Sequence, residues 1–108
     1  MQLVRFYLTQ TRRHHGVLLY EWLLKQAHAQ GASGATAFHA LAGFGRHGWH
    51  EATFFELAGD VPVAVEVIAS SDVIARLLAT ITAEQLSLPY LQVPVELHVT
   101  GEPGQSDQ

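Results

Sequence analysis

The sequence predicts an α+β domain in the order β-α-β-β-α-β, one antiparallel sheet with two helices on one face. Two segments carry apolar residues at helical spacing. Runs rich in β-branched and aromatic residues flank each of them, and the two middle runs follow one another with no helix between. With 108 residues, 48% of them hydrophobic and 15% charged, the chain has material for one core and one domain.

Residues 2–9 alternate, with Val4, Phe6 and Leu8 on one face, and predict the first strand. Thr11 to Gly16 is polar, without a useful period, and reads as a connector. From Val17 to about Gln30 the residues Leu19, Leu23 and Ala27 recur every fourth position, beside a stripe of Leu18 and Trp22, and Gly31 ends this helix. Ala35 to Phe44 fits a second strand, and the strand signal continues over Glu51 to Leu57 and Val61 to Ala69, with a break at Gly59-Asp60. Pro62 belongs at the start of its strand, because it has no N–H to give a ladder.

Ser70, Ser71 and Asp72 supply capping groups for a second helix, whose Ile74, Leu77, Leu78 and Ile81 lie at i, i+3, i+4 and i+7. Leu91 to Thr100 is the last expected strand, with Val93, Val95, Leu97 and Val99 on one face. Residues 1–100 thus form the domain, and 101–108 a polar, flexible C-terminal tail. Two βαβ halves in this order make a ferredoxin-like sandwich. Leu3 and Tyr7 fall on the sheet face away from the helices. A sheet apolar on both sides calls for a second cover, and a copy of the same chain is the simplest one.

The net charge of −4 argues against nucleic acid as a partner. All six basic residues (Arg5, Arg12, Arg13, Lys25, Arg46 and Arg76) lie in the first 76 positions, followed only by the acids Glu84, Glu96, Glu102 and Asp107. An anion pocket must therefore take its cations from the N-terminal two-thirds. The absence of cysteine excludes disulfides, thiolate metal sites and a cysteine nucleophile. Arg5, Arg12 and Arg13 break up the N-terminal apolar residues, unlike a signal peptide, and the expected location is cytoplasmic.

The run Gly43-Phe44-Gly45-Arg46-His47-Gly48 is the leading candidate site. Its glycines permit close backbone approach to a ligand, and Arg46 offers a forked cation for phosphate or carboxylate. The same glycines also suit an ordinary hairpin tip. Trp49, a large apolar group in a loop, is expected with His47 and His50 to meet a partner or a second subunit. His47-x-x-His50, with Glu51 or Glu56, is the alternative: a divalent-metal site. His14-His15 reads as an exposed loop pair. No enzyme is expected: Ser33, Ser70, Ser71, Ser87 and Ser106 lack a nucleophile-elbow context, and no catalytic residue is assigned.

The segment from Gly34 through Phe38-His39-Ala40-Leu41-Ala42 to Gly43-Phe44-Gly45 resembles the G-A-T-V-F-R-G-x-x-G-F-G segment of a PII-like family, domain of unknown function 190. Leu19-Tyr20-Glu21 resembles its P-L-Y-E segment. The run Gly59-Asp60-Val61-Pro62-Val63-Ala64-Val65-Glu66-Val67-Ile68 is similar to its D-L-P-V-V-I-E-V-V strand. The resemblance spans roughly residues 2–100. It implies a ferredoxin-like subunit of a homotrimer related to nitrogen-regulatory PII signalling proteins. An adenine nucleotide would be the effector, held in clefts between subunits, and the regulated protein would be a membrane transporter or an enzyme.

Gly43, Phe44, Gly45 and Arg46 match the G-F-G-R segment of PII proteins and are the residues the resemblance implies for the ligand. It does not extend to the glycine- and lysine-rich loop before the last PII strand, where Leu86 to Gln92 carries neither glycine nor cation. Two other readings fit the same scaffold: a copper-tolerance-like trimer using His47 and His50, and a structural trimer without a ligand.

Overall fold

The computed structural model describes residues 1–43 and 61–101. The elements are β1 (Gln2–Thr9), β2 (Arg13–His14), β3 (Val17–Leu18), α1 (Leu19–Ala29), β4 (Gly34–His39), β5 (Pro62–Ala69), α2 (Ser71–Ala83) and β6 (Tyr90–Pro94). Four strands form one antiparallel sheet in the order β4-β5-β1-β6, while β2 and β3 pair as a small hairpin. This is the expected ferredoxin-like α+β architecture, with a hairpin inserted ahead of the first helix.

Alternation along the central strands builds the core. Val4, Phe6 and Leu8 of β1 lie opposite Val67, Val65 and Val63 of β5, and all six are buried. The apolar stripes of the helices close over them through Leu19, Leu23 and Ala27 of α1 and Val73, Ile74, Leu77 and Ile81 of α2. Each fully buried side chain of this size contributes roughly 1.5–3 kcal/mol relative to exposure. The helices are tied to one another where Gln30 Nε2 donates to Thr80 Oγ1 (3.1 Å).

Both helices end in the same hydrogen-bonded motif. After α1, Gly31 N–H donates to His28 O and Ala32 N–H to Ala27 O. After α2, Gln85 N–H donates to Thr82 O and Leu86 N–H to Ile81 O. This is the Schellman pattern, which needs a left-handed residue just past the C-cap. Gly31 fills that place with φ +89° and Gln85 with φ +59°. At the other end of α2, Ser70 Oγ accepts from Val73 N–H (3.3 Å), as its capping role requires.

Four boundaries differ from the sequence expectation. The connector 11–16 contains β2 and leads into the hairpin, whose turn residues His15 (φ +51°) and Gly16 (φ +80°) both take the positive φ of a two-residue type I′ loop. Helix α1 starts at Leu19 rather than Val17, because Val17 and Leu18 are used by β3; Leu19 N–H donates to Arg12 O (2.8 Å) in place of a side-chain cap. Strand β4 stops at His39, short of Phe44, because its partner β5 begins at Pro62, whose carbonyl accepts from Ala40 N–H (2.8 Å) but which has no N–H to return. Strand β6 stops at Pro94, short of Thr100, because Gln2 is the last β1 residue to pair with it and Val95 N–H then reaches Met1 O (3.0 Å). The expected strand at Glu51 to Leu57, the break at Gly59-Asp60 and tail residues 102–108 lie outside the described residues.

A candidate ligand cleft and a histidine–glutamate cluster

Three strand ends meet at one edge of the sheet. The chain leaves β4 at Ala40, pinned to Pro62 O, and returns at Val61, whose carbonyl accepts from Gln10 N–H (2.8 Å) just after β1. The segment carrying the glycine run therefore departs and returns at adjacent points. Beside them opens a cleft of about 220 Å³ lined by Gln10, Tyr20, Ala37, Phe38, His39 and Val63. Its lining offers an amide, a phenol and an imidazole. Among the described residues its lining contains no lysine or arginine. The described arginines are engaged elsewhere: Arg5 with Glu66, Arg12 with Ser87 O, Arg13 with Gly16 O and Arg76 with Gln30 O.

Of the residues singled out for ligand contact, Gly43 is exposed at the foot of this segment and is not in the left-handed region. A Cβ there would meet nothing, so its backbone freedom is not required at this position. Phe44, Gly45, Arg46, His47, Trp49 and His50 lie outside the described residues. Leu41, next to the cleft, is fully exposed.

The sheet face away from the helices follows from register. Residues directly opposite share a face, so Leu3 stands with Ile68 and Val93, Arg5 with Glu66 and Leu91, and Tyr7 with Ala64, which in turn opposes Phe38. Tyr7, Phe38 and Val93 are each more than 40% exposed. One charged pair thus sits in an apolar sheet face.

A second cluster was not legible in the sequence. His14 Nε2 and His15 Nε2 both contact Glu84 Oε1, at 2.8 and 2.9 Å. His14 is half-buried and stands edge-on to Trp22, centroids 4.9 Å apart, so only His15 fits the expectation of an exposed loop histidine. Hydrogen bonds from His14 and then His15 hold the Glu84 carboxyl below the ordinary carboxylate range. The pairing spans 70 positions, and no spacing signal announces a contact of that kind.

A family model for DUF190, described as an uncharacterized ACR family, matches residues 1–86. The chain belongs to the DUF190 family. Among curated proteins, this DUF190 chain is 32% identical over 92 residues to a UPF0166 protein of Aquifex aeolicus, covering 84% of this chain and 88% of the relative. It is 30% identical over 77 residues to a UPF0166 protein of Methanocaldococcus jannaschii, covering 71% of each. The match takes in β1 through α2 and stops just past Glu84. Among the described residues of this DUF190 chain, no helix is long and apolar enough to cross a membrane.

Proposed function

We propose that this DUF190 chain is a PII-like regulatory subunit, a cytoplasmic binding protein without chemistry of its own. It assembles as a homotrimer through the open sheet face. A small anionic effector, with an adenine nucleotide as the first candidate, binds in the clefts between subunits. A regulated protein, a membrane transporter or an enzyme, is contacted through the 43–50 loop. The observation that carries this reading is the placement of the cleft beside the two pinned feet of the glycine-bearing segment. A loop rooted there can report occupancy of the cleft.

The chemistry of the cleft supports a ligand with an aromatic base, since Tyr20 offers a ring and Gln10 and His39 hydrogen-bonding groups. With no cation among the described lining residues, the phosphate falls to Arg46, the remaining candidate of the glycine run. The apolar sheet face supports self-association. So does the run beyond β6, where Leu97 and Val99 are more than half exposed.

Calorimetric titration with AMP, ADP, ATP and cyclic dinucleotides, alongside light-scattering mass measurement, tests the reading. Saturable heat with one of them, weakened in Arg46→Ala, together with a trimer mass is expected. A monomer mass at micromolar protein, or no heat and no thermal shift at millimolar nucleotide, would sink it.

A further inference from the structure

Along an extended strand successive side chains point to opposite faces. His14 and His15 do not, because the left-handed φ of +51° at His15 swings its ring back beside that of His14, leaving the centroids 4.0 Å apart. Two-residue type I′ turns favour Asn, Asp or Gly at that position, and this chain places an imidazole there. Facing the two rings is Glu84, the C-cap of α2, fixed by the Schellman bonds that follow it.

A carboxylate at a helix C-terminus sits where the helix dipole is already negative, and the last turn of α2 holds no basic residue. The local field therefore favours a cation. The donor set is chemically specific: two imidazole nitrogens and a carboxylate oxygen, all within 4.8 Å of one another. This combination suits zinc, copper or nickel rather than the all-oxygen coordination of calcium or magnesium. Ligand atoms of a tetrahedral zinc site, at bonds of about 2.0–2.2 Å, stand roughly 3.3 Å apart. The donor atoms, at present in contacts of 2.8 and 2.9 Å and all within 4.8 Å, reach that spacing through rotation of the exposed Glu84 and His15 side chains. Trp22 holds His14 as the fixed ligand.

We propose that His14 Nε2, His15 Nε2 and Glu84 bind one zinc(II)-class divalent cation per chain, with water completing the coordination. The ion clamps the β2–β3 hairpin to the end of α2. This site lies apart from the ligand cleft, shares no lining residue with it and does not depend on the regulatory reading. Both rings must coordinate through unprotonated Nε2, so binding weakens as the solution is acidified.

The test is titration of zinc chloride into the chelator-treated full chain at pH 7.5. Wild type is compared with His14→Gln, His15→Asn, Glu84→Gln and a His47→Ala/His50→Ala control. His15→Asn keeps a side chain suited to the left-handed turn, and the melting curve of each variant reports its folding. One equivalent is expected to bind. Each single variant should weaken it by at least the roughly 10–100-fold that loss of even an outer-shell partner costs, and the control should match wild type. Long-range imidazole spectra of the wild type should show shifts at His14 and His15 and none at His28, His39 or His98, a readout that holds even where a variant fails to fold. Absence of one-equivalent binding overturns the proposal. So does wild-type affinity in Glu84→Gln or His15→Asn, loss of binding in the control, or ring shifts at other histidines.

Discussion

Arg5 and Glu66 stand directly opposite each other on the β1–β5 ladder, where Glu66 Oε2 accepts from Arg5 Nε (2.7 Å) and from a terminal guanidinium nitrogen. They form the charged centre of a largely apolar sheet face that includes Leu3, Tyr7, Phe38, Ala64, Ile68, Leu91 and Val93, with Thr36 directly opposite Glu66. With side chains 37% and 20% exposed, the pair contributes at most about 1 kcal/mol to a single chain. Covered by other copies it becomes a buried ion pair, and removal of one partner then costs about 3–5 kcal/mol.

Arg5→Met is therefore expected to dissociate the proposed trimer while leaving the monomer fold nearly as stable. The double substitution Arg5→Met/Glu66→Met, which leaves no unpaired charge, should stay assembled. Light-scattering masses across a dilution series check this; an unchanged mass for Arg5→Met would show that the pair is not at an interface.

The two helix ends make the same demand on the residue past the cap, and one meets it with glycine and the other with glutamine. Gly31→Ala adds a Cβ that meets nothing within 4 Å, so its cost is conformational alone, about 1 kcal/mol. Gln85→Gly relieves a left-handed glutamine but gains unfolded-state entropy, and a net stabilisation of about 0.5 kcal/mol is expected. Urea midpoints with unchanged slopes measure both, and a destabilising Gln85→Gly would contradict the assignment.

Leu23 and Leu41 separate core from surface. Leu23→Ala is expected to cost about 2–5 kcal/mol, since Leu23 is fully buried between α1 and the sheet. Leu41→Ser should stay within about 0.5 kcal/mol of wild type, because the leucine is fully exposed. Denaturation curves of the two variants are the check.

Glu84 sets an expectation for acid. Its carboxyl is lowered in the folded chain by His14 and then His15, so the folded state takes up its proton at lower pH than the unfolded state. The associated stability is fully present above the unfolded pKa of about 4.3 and is lost as pH falls through the lowered folded value. In metal-free buffer, Glu84→Gln should have a shallower fall in melting temperature below about pH 4.3 than wild type. Parallel acid limbs would remove this link.

Strands β1 and β5 and the stripe of α2 were legible because each follows one period and is bounded by a residue with a mechanical role: Pro62 starting β5, Ser70 capping α2. The hairpin was hidden because two-residue strands have no period to read, and its turn carries histidine where asparagine would have signalled it. Strands β4 and β6 were read too long for a different reason. Alternation marks what a segment could do, whereas pairing ends where the partner does, at Pro62 for one and at Met1 for the other. Similarly, the open apolar face was foreseen from Leu3 and Tyr7. The cleft residues Gln10, Tyr20 and His39 and the Glu84 cluster depend on contacts between distant parts of the chain, which local pattern cannot encode.

The position of β1 between β5 and β6 also bears on how the chain folds. Strand β1 leaves the ribosome well before either of its partners, which both lie beyond residue 61. At a synthesis rate of about 5–20 residues per second, Val4, Phe6 and Leu8 wait for seconds before β5 and β6 are available. Long-range pairing of this kind slows two-state folding toward the millisecond-to-second range. The central strand is thus secured only once the second half of the domain is made, and until then its apolar face has no sheet partner.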